Sequence, residues 1–159
     1  LCAKSIYMLS PVYSNDHEET KEAIEKLQLL INDYSDSEYI EEENKLVQEL
    51  DFKLDKKSFE VAKQYNTIYD YQASIKAFDN FLVDYPGSKL REEALYYRLH
   101  SATELAINSV PWKKEDRLNN AKRYYEGFKK TFPESEYISE VDKMIIKLDE
   151  ELLAYNTKS

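Results

Sequence analysis

The chain has 159 residues with two glycines, four prolines and one cysteine, and 33% of its residues are charged. A chain of this length would ordinarily hold roughly ten glycines, which argues against glycine-cradled phosphate loops, dinucleotide folds and hairpin-rich sandwiches or barrels. One cysteine excludes an internal disulfide framework, and no apolar run approaches the roughly 18 residues that a membrane span needs. An all-α fold is what remains, in a length suited to one domain.

The net charge of −9 is unevenly placed. Residues 1–55 hold 5 lysines against 14 acidic residues, and residues 56–88 balance at 4 against 4. Residues 89–130 carry 10 basic and 6 acidic side chains, including all four arginines, Arg91, Arg98, Arg117 and Arg123, and residues 131–159 return to −4. A pI near 4.9 with one local basic zone is a poor match for nucleic acid. An acidic or mixed protein surface is the better partner for the zone.

In chain order, the start at Leu1 has neither a basic n-region nor an apolar h-region. Residues 1–9 read as the remnant of a helix, joined by a long connection over 10–17 with Pro11 and Asn15-Asp16. A helix through Ile24, Leu27 and Leu30 ends at Tyr34. The next is predicted to run unbroken from about 37 to 66, with an apolar stripe of Ile40, Val47, Leu50, Leu54, Val61, Tyr65 and, just beyond, Ile68. Ser74, Ala77, Phe78, Phe81 and Leu82 make a shorter partner ending at Tyr85; Ala94, Tyr97, Ser101, Ala102 and Leu105 mark another. After a connection over 108–114 with Pro111 and Trp112, a helix starting near Glu115 carries Leu118, Ala121, Tyr125, Phe128 and Phe132. Ile138, Val141, Ile145, Leu148 and Leu152 form the last.

These segments repeat. Leu27, Phe78 and Tyr125 share a column, as do Leu30, Phe81 and Phe128, and Tyr34, Tyr85 and Phe132 close each run, at offsets of 51 and 47 residues. A helix-breaking tetrad follows each closing aromatic: Ser35-Asp36-Ser37-Glu38, Pro86-Gly87-Ser88-Lys89 and Pro133-Glu134-Ser135-Glu136. Proline stops one helix, and the shared serine is expected to N-cap the next. The period is one helix pair, so the prediction is a single α-solenoid of pairs near 17–67, 70–108 and 115–156, with Phe78, Phe81, Tyr85, Tyr125, Phe128 and Phe132 in its core.

The pattern of small residue, aromatic, aromatic and Tyr-Pro-x-Ser resembles a tetratricopeptide repeat. More particularly, the run from Ala73-Ser74-Ile75-Lys76-Ala77-Phe78 through Tyr85-Pro86-Gly87-Ser88 to Glu93-Ala94-Leu95-Tyr96-Tyr97 is similar to the BamD family, as is Leu50-Asp51-Phe52-Lys53-Leu54 with Phe59-Glu60-Val61-Ala62-Lys63-Gln64-Tyr65. The resemblance covers essentially the whole chain and corresponds to the middle and C-terminal part of that family. It departs at Ser35, where the pattern wants proline. It implies a lipoprotein scaffold of the outer membrane β-barrel assembly machinery, at the periplasmic face of the outer membrane, held to the membrane only through an upstream lipid anchor. Implied partners are a BamA-like barrel subunit, which docks on the C-terminal repeats, other assembly-complex subunits and unfolded outer membrane protein segments. Another repeat adaptor, or a helical accessory domain of an enzyme, stays open beside it.

Nothing in the sequence assembles a catalytic, cofactor or metal site. His17 and His100 are 83 residues apart and belong to no metal-ligand spacing; His17 reads as a first-turn residue and His100 as a surface or groove residue. Glu41-Glu42-Glu43 reads as a solvated run, and Cys2 as a packed cysteine or a lipobox scar. Interface candidates are Trp112 with Lys113, Lys114 and Arg117, where a lone tryptophan sits among cations; Arg91 and Arg98 from the basic zone; and Tyr71 and Tyr96 among the 14 tyrosines, off the repeat columns. For Trp112 a hydrophobic staple on the following helix stands as an equal alternative, and the arginines could equally pair within the solenoid.

Overall fold

A computed structural model describes residues 17–33 and 40–157. The predicted helix remnant over 1–9, the connection predicted over 10–17 apart from His17, which begins a helix, and the first tetrad fall outside the described residues, as do the side chains of Cys2, His17, Ala23, Leu30, Tyr34, Ile40, Glu42 and Glu43. The described residues form six helices: α1 (His17–Asp33), α2 (Ile40–Thr67), α3 (Tyr71–Asp84), α4 (Arg91–Ile107), α5 (Pro111–Thr131) and α6 (Ile138–Asn156). The fold is an all-α, tetratricopeptide-like solenoid. The chain divides into two compact units, Leu1–Lys57 and Ser58–Ser159, with the boundary inside α2.

In the first unit the buried side chains are Ile24 and Leu27 on α1 and Leu50 and Leu54 on α2. Spacings of three and four put each pair on one helix face. Of the run predicted to be solvated, the described Glu41 is exposed, and so are Glu22, Glu25 and Glu49.

In the second unit each helix packs on the next, and α4 packs on α6 as well as on α3 and α5. Phe59, Ala62, Phe78, Phe81 and Ala94 form one core cluster. The Phe59 ring lies 5.7 Å from Phe78, 5.8 Å from Phe81 and 6.2 Å from Tyr97, all edge-on, the geometry that the aromatic quadrupole favours. Leu95, Leu99, Phe128, Val141 and Met144 form a second cluster, and Ala102, Ala106, Leu118, Ala121 and Leu148 a third. Of the repeated aromatics, Phe78, Phe81 and Phe128 are fully buried, while Tyr85, Tyr125 and Phe132 are half-buried at the cluster edges.

Two expectations about packing need correction. The stripe predicted along α2 does not continue past Leu54: Val61, Tyr65 and Ile68 are exposed, and Phe59 and Ala62 are buried instead. Val61 lies about 200° around the helix from Phe59, so burying the larger aromatic turns the β-branched position outward. On α4 the buried set adds Leu95, Leu99, Thr103 and Ala106, because a helix packed on three others has little surface left for a polar face.

The two described breaks are built bond for bond alike. The closing aromatics Tyr85 (φ −127°) and Phe132 (φ −131°) leave the helical region, as a residue before proline must. Tyr85 N donates to the Phe81 carbonyl at 2.9 Å and Phe132 N to that of Phe128 at 2.8 Å; Ser88 N and Ser135 N then donate to the carbonyls of Tyr85 and Phe132. The shared serine is not the N-cap. Its hydroxyl accepts from Leu90 N at 3.2 Å and from Tyr137 N at 3.1 Å, closing a serine turn one step upstream, and Leu90 and Tyr137 themselves occupy the cap positions without a side-chain bond. The cap stands two positions after the serine, so the serine's oxygen reaches the turn before it reaches the helix.

The α2–α3 turn is tighter. Asp70 N donates to the Tyr65 carbonyl at 3.0 Å and Tyr69 N to that of Asn66 at 3.1 Å, the paired closure of a Schellman motif. Its left-handed position, at φ 65°, is held by Tyr69 rather than glycine. The Asp70 carboxylate then caps α3 by accepting from Ala73 N at 3.1 Å.

Polar atoms inside this unit join α2, α3 and α4. Ser74 Oγ donates to the Ala62 carbonyl at 3.2 Å, and Ser101 Oγ lies 2.9 Å from both Ser74 Oγ and the Tyr97 carbonyl, sharing its one proton between them. Asn66 Nδ2 donates to Ser101 Oγ at 2.8 Å and to His100 Nδ1 at 3.0 Å. An amide nitrogen can only donate, so His100 is neutral with its proton on Nε2.

Two predictions test this core. Phe81→Ala and Phe128→Ala, at the same repeat position and both fully buried, should each cost about 3–5 kcal/mol in urea denaturation; a loss below about 1 kcal/mol for either would remove the repeat alignment. Burial holds the His100 imidazole below its usual value, against Glu104 and Glu140, which raise it, and with Lys147, which lowers it further. The unfolded chain therefore takes up the proton first as pH falls through about 6.5, so the histidine's contribution is whole above that pH and declines below it. The urea midpoint should drop between pH 7.5 and 5.5, and His100→Gln should shrink that drop; equal drops in both proteins would show that another group titrates.

Candidate interaction surfaces

Four of the ten cations of the basic zone are ion-paired within the second unit. Lys114 meets Glu151 at 2.5 Å, Lys122 meets Asp149 at 2.7 Å and Lys129 meets Asp142 at 2.9 Å, an ion-pair ladder between antiparallel α5 and α6. The Lys129 ammonium and the Tyr125 hydroxyl, 3.0 Å away, together hold the Asp142 carboxyl below its ordinary value. Solvent screens pairs of this kind, so each adds little to stability. Together they set three cations of the basic segment against three carboxylates of the next.

Arg98, one of the predicted interface cations, is well enclosed, with 17% of its side chain exposed. Its Nη1 donates to Asp79 Oδ1 at 2.8 Å and its guanidinium lies 4.1 Å from the Tyr124 ring centre. Arg117 is half-buried and donates from Nη1 to Ser109 Oγ at 2.7 Å. Arg91 is half-buried at the start of α4, and Lys113 is exposed.

Trp112 is 76% exposed. The staple reading does not hold, because α5 starts at Pro111 rather than near Glu115. Proline suits the first helical position, whose N–H has no helical partner, and Trp112 is thereby placed within the first turn instead of ahead of it, where a staple residue must stand. Val110, 41% exposed, and Lys113 flank it. The structure thus gathers Val110, Trp112 and Lys113 at the start of α5 and holds Lys114 and Arg117 in internal contacts.

The two predicted tyrosines lie elsewhere. Tyr71 opens α3, its ring 6.1 Å from Tyr69 and 6.3 Å from His100; burial, then the Glu104 charge, pushes its hydroxyl up. Tyr96 stacks on Tyr137 at 4.4 Å and donates its hydroxyl to Glu140 Oε2, and burial followed by that bond raises its pKa strongly. Tyr137 and Glu140 were not among the sequence candidates. Tyr137 caps α6 and Glu140 stands three positions on in its first turn, a local signal, but nothing local joins them to Tyr96, 41 and 44 positions earlier. Among the described residues no group of three His, Cys, Asp or Glu side chains could hold a metal ion, and no helix is long and apolar enough to cross a membrane.

The enclosed and exposed cations should separate in stability. Arg98→Glu puts a carboxylate beside Asp79 and against the Tyr124 ring, and should cost about 2–4 kcal/mol in chemical denaturation. Lys113→Glu should change stability by no more than about 0.5 kcal/mol. A neutral Arg98→Glu would show that the Asp79 pair and the ring contact carry no weight in solution.

A family model described as YfiO, an outer membrane lipoprotein, matches the chain twice, over residues 3–110 and 65–158. The two matches overlap across α3 and α4, as a repeated architecture allows. No curated protein matches the chain significantly. The repeat breaks, the sequential helix packing and the span of the match agree, and the chain belongs to the YfiO (BamD) family of outer membrane lipoproteins.

Proposed function

We propose that this protein is a non-catalytic protein–protein interaction scaffold of the outer membrane β-barrel assembly complex. In this reading the helices form three pairs of one repeat array, near 17–67, 70–108 and 115–156, working at the periplasmic face of the outer membrane. A BamA-like barrel subunit is the principal partner, with other assembly subunits and unfolded outer membrane protein segments as further ones. Family membership supports the assembly role. An interior of aromatic and alanine clusters supports a binding module rather than an enzyme.

One observation carries the choice of docking surface: Trp112 is 76% exposed beside exposed Lys113, in the first turn of a helix that the core holds in place. A large rigid aromatic on a firm support loses little entropy on binding, and tryptophan is enriched among residues that dominate interface energy. Lys113 adds long-range attraction for an acidic partner surface, which acts mostly on the rate of encounter.

The test is capture of the periplasmic domains of a BamA-like subunit by the full chain. Trp112→Ala combined with Lys113→Glu should leave the melting temperature nearly unchanged and weaken capture about tenfold or more. Lys113→Glu alone should slow association at low salt and lose that effect at high salt. Capture at the parental affinity and rate by the double variant would move the contact off this surface.

A further inference from the structure

In the second unit, three tyrosine rings each carry a cation that is also ion-paired. Lys63 Nζ stands 4.7 Å from the Tyr97 ring centre and 3.1 Å from Glu93 Oε1. The Arg98 guanidinium lies over Tyr124 and pairs with Asp79, and Lys129 lies 5.9 Å from the Tyr125 ring centre and pairs with Asp142. In each case a negative ring face and a carboxylate converge on one cation, an arrangement that favours ammonium and guanidinium groups.

The stacked pair Tyr96–Tyr137 has the same ring and carboxylate parts. Glu140 accepts from the Tyr96 hydroxyl. Burial first, and then the charges of Glu93, Glu136 and Glu92, raise the Tyr137 hydroxyl. Glu93 is matched by Lys63, whereas among the described residues no cation lies over either ring and none pairs with Glu92, Glu136 or Glu140. An open depression lined by Glu92, Phe132, Pro133 and Glu134, with Thr131 and Ser135, runs up to the residues just before Tyr137, so Glu92, one of these carboxylates, stands in a concave part of the surface.

We propose that the Tyr96–Tyr137 stack, with Glu92, Glu136 and Glu140 and the adjoining depression, is a docking surface for a lysine- or arginine-bearing segment of a partner polypeptide. The occupant follows from charge complementarity: three carboxylates and two ring faces, in a unit that supplies a cation to every comparable set just described. The partner's side chain takes the place that Lys63 fills over Tyr97. This surface is distinct from the one around Trp112, since Tyr96 lies near the start of α4 and Trp112 beyond its far end, roughly 18 Å along the helix axis. It also differs in the sign of its charge, so either can fail without the other.

The experiment titrates the full chain with a fluorescein-labelled peptide of four alternating Gly-Arg pairs and with the same peptide carrying citrulline, the uncharged isostere of arginine. Anisotropy gives affinity, and NMR gives the residues perturbed. The arginine peptide should bind about tenfold more tightly than the citrulline peptide and shift the Tyr96 and Tyr137 ring signals. The combined variant Glu92→Gln, Glu136→Gln and Glu140→Gln, which keeps side-chain size, should lose about that factor. Glu22→Gln with Glu25→Gln and Glu41→Gln removes the same charge from exposed positions of the first unit and should leave affinity nearly unchanged. Tyr137→Phe, which keeps the ring face, should bind like the parent. Equal losses in the two triple variants, or ring signals that do not move, would reduce binding to the general −9 of the chain and overturn the proposal.

Discussion

The packing of α4 on α3, α5 and α6 is the constraint on which the second unit depends. Each of the three core clusters takes part of this one helix: Ala94 the first, Leu95 and Leu99 the second, Ala102 and Ala106 the third. A helix can serve several neighbours only if its contact positions alternate in size. The alanines and the buried Ser101 let backbones come close, while Leu95 and Leu99 fill the wider spaces. Side-chain volume at these positions is set on more than one side, so overpacking at Ala102 or Ala106 would push two neighbours apart rather than one.

The polar bonds of the interior follow from the same closeness. Ser74 and Ser101 are fully buried, and their hydroxyls reach Ala62 and Tyr97 carbonyls that larger side chains would have screened. Asn66 extends the network to His100 at its half-buried rim. A satisfied network of this kind costs little while intact and is expensive to break, because a severed partner leaves a desolvated polar atom. It therefore fixes the register of α2, α3 and α4 more sharply than apolar contacts do.

Charge and aromatic content act together. Tyrosines at the cluster edges turn their ring faces to the surface, where Lys63, Arg98 and Lys129 cover them and pair with carboxylates from other helices. The surface is neutralised locally by these sets and by the α5–α6 ladder. Two places without such pairing among the described residues suit a scaffold: an exposed tryptophan with a lysine at one end of α4, and an acidic tyrosine stack toward the other.

By itself the sequence determined the helices, the repeat and the family. Scarce glycine, apolar residues at three and four, and the aromatic-Pro-x-Ser break are local signals, and local backbone rules make Tyr85 and Phe132 end their helices in the same way. The fully buried Phe78, Phe81 and Phe128 were legible because the repeat columns line up. Tertiary structure decided which face of α2 turns inward, since Phe59 outweighs Val61 only once α3 and α4 supply its ring partners. It also decided the meaning of the basic zone. Linear charge counts show +4 beside −4, but only antiparallel packing brings Lys114, Lys122 and Lys129 against Glu151, Asp149 and Asp142. The Tyr96–Tyr137–Glu140 group was out of reach for the same reason: its members are far apart in the chain, and the contact is made by helix packing rather than by any periodicity within one helix.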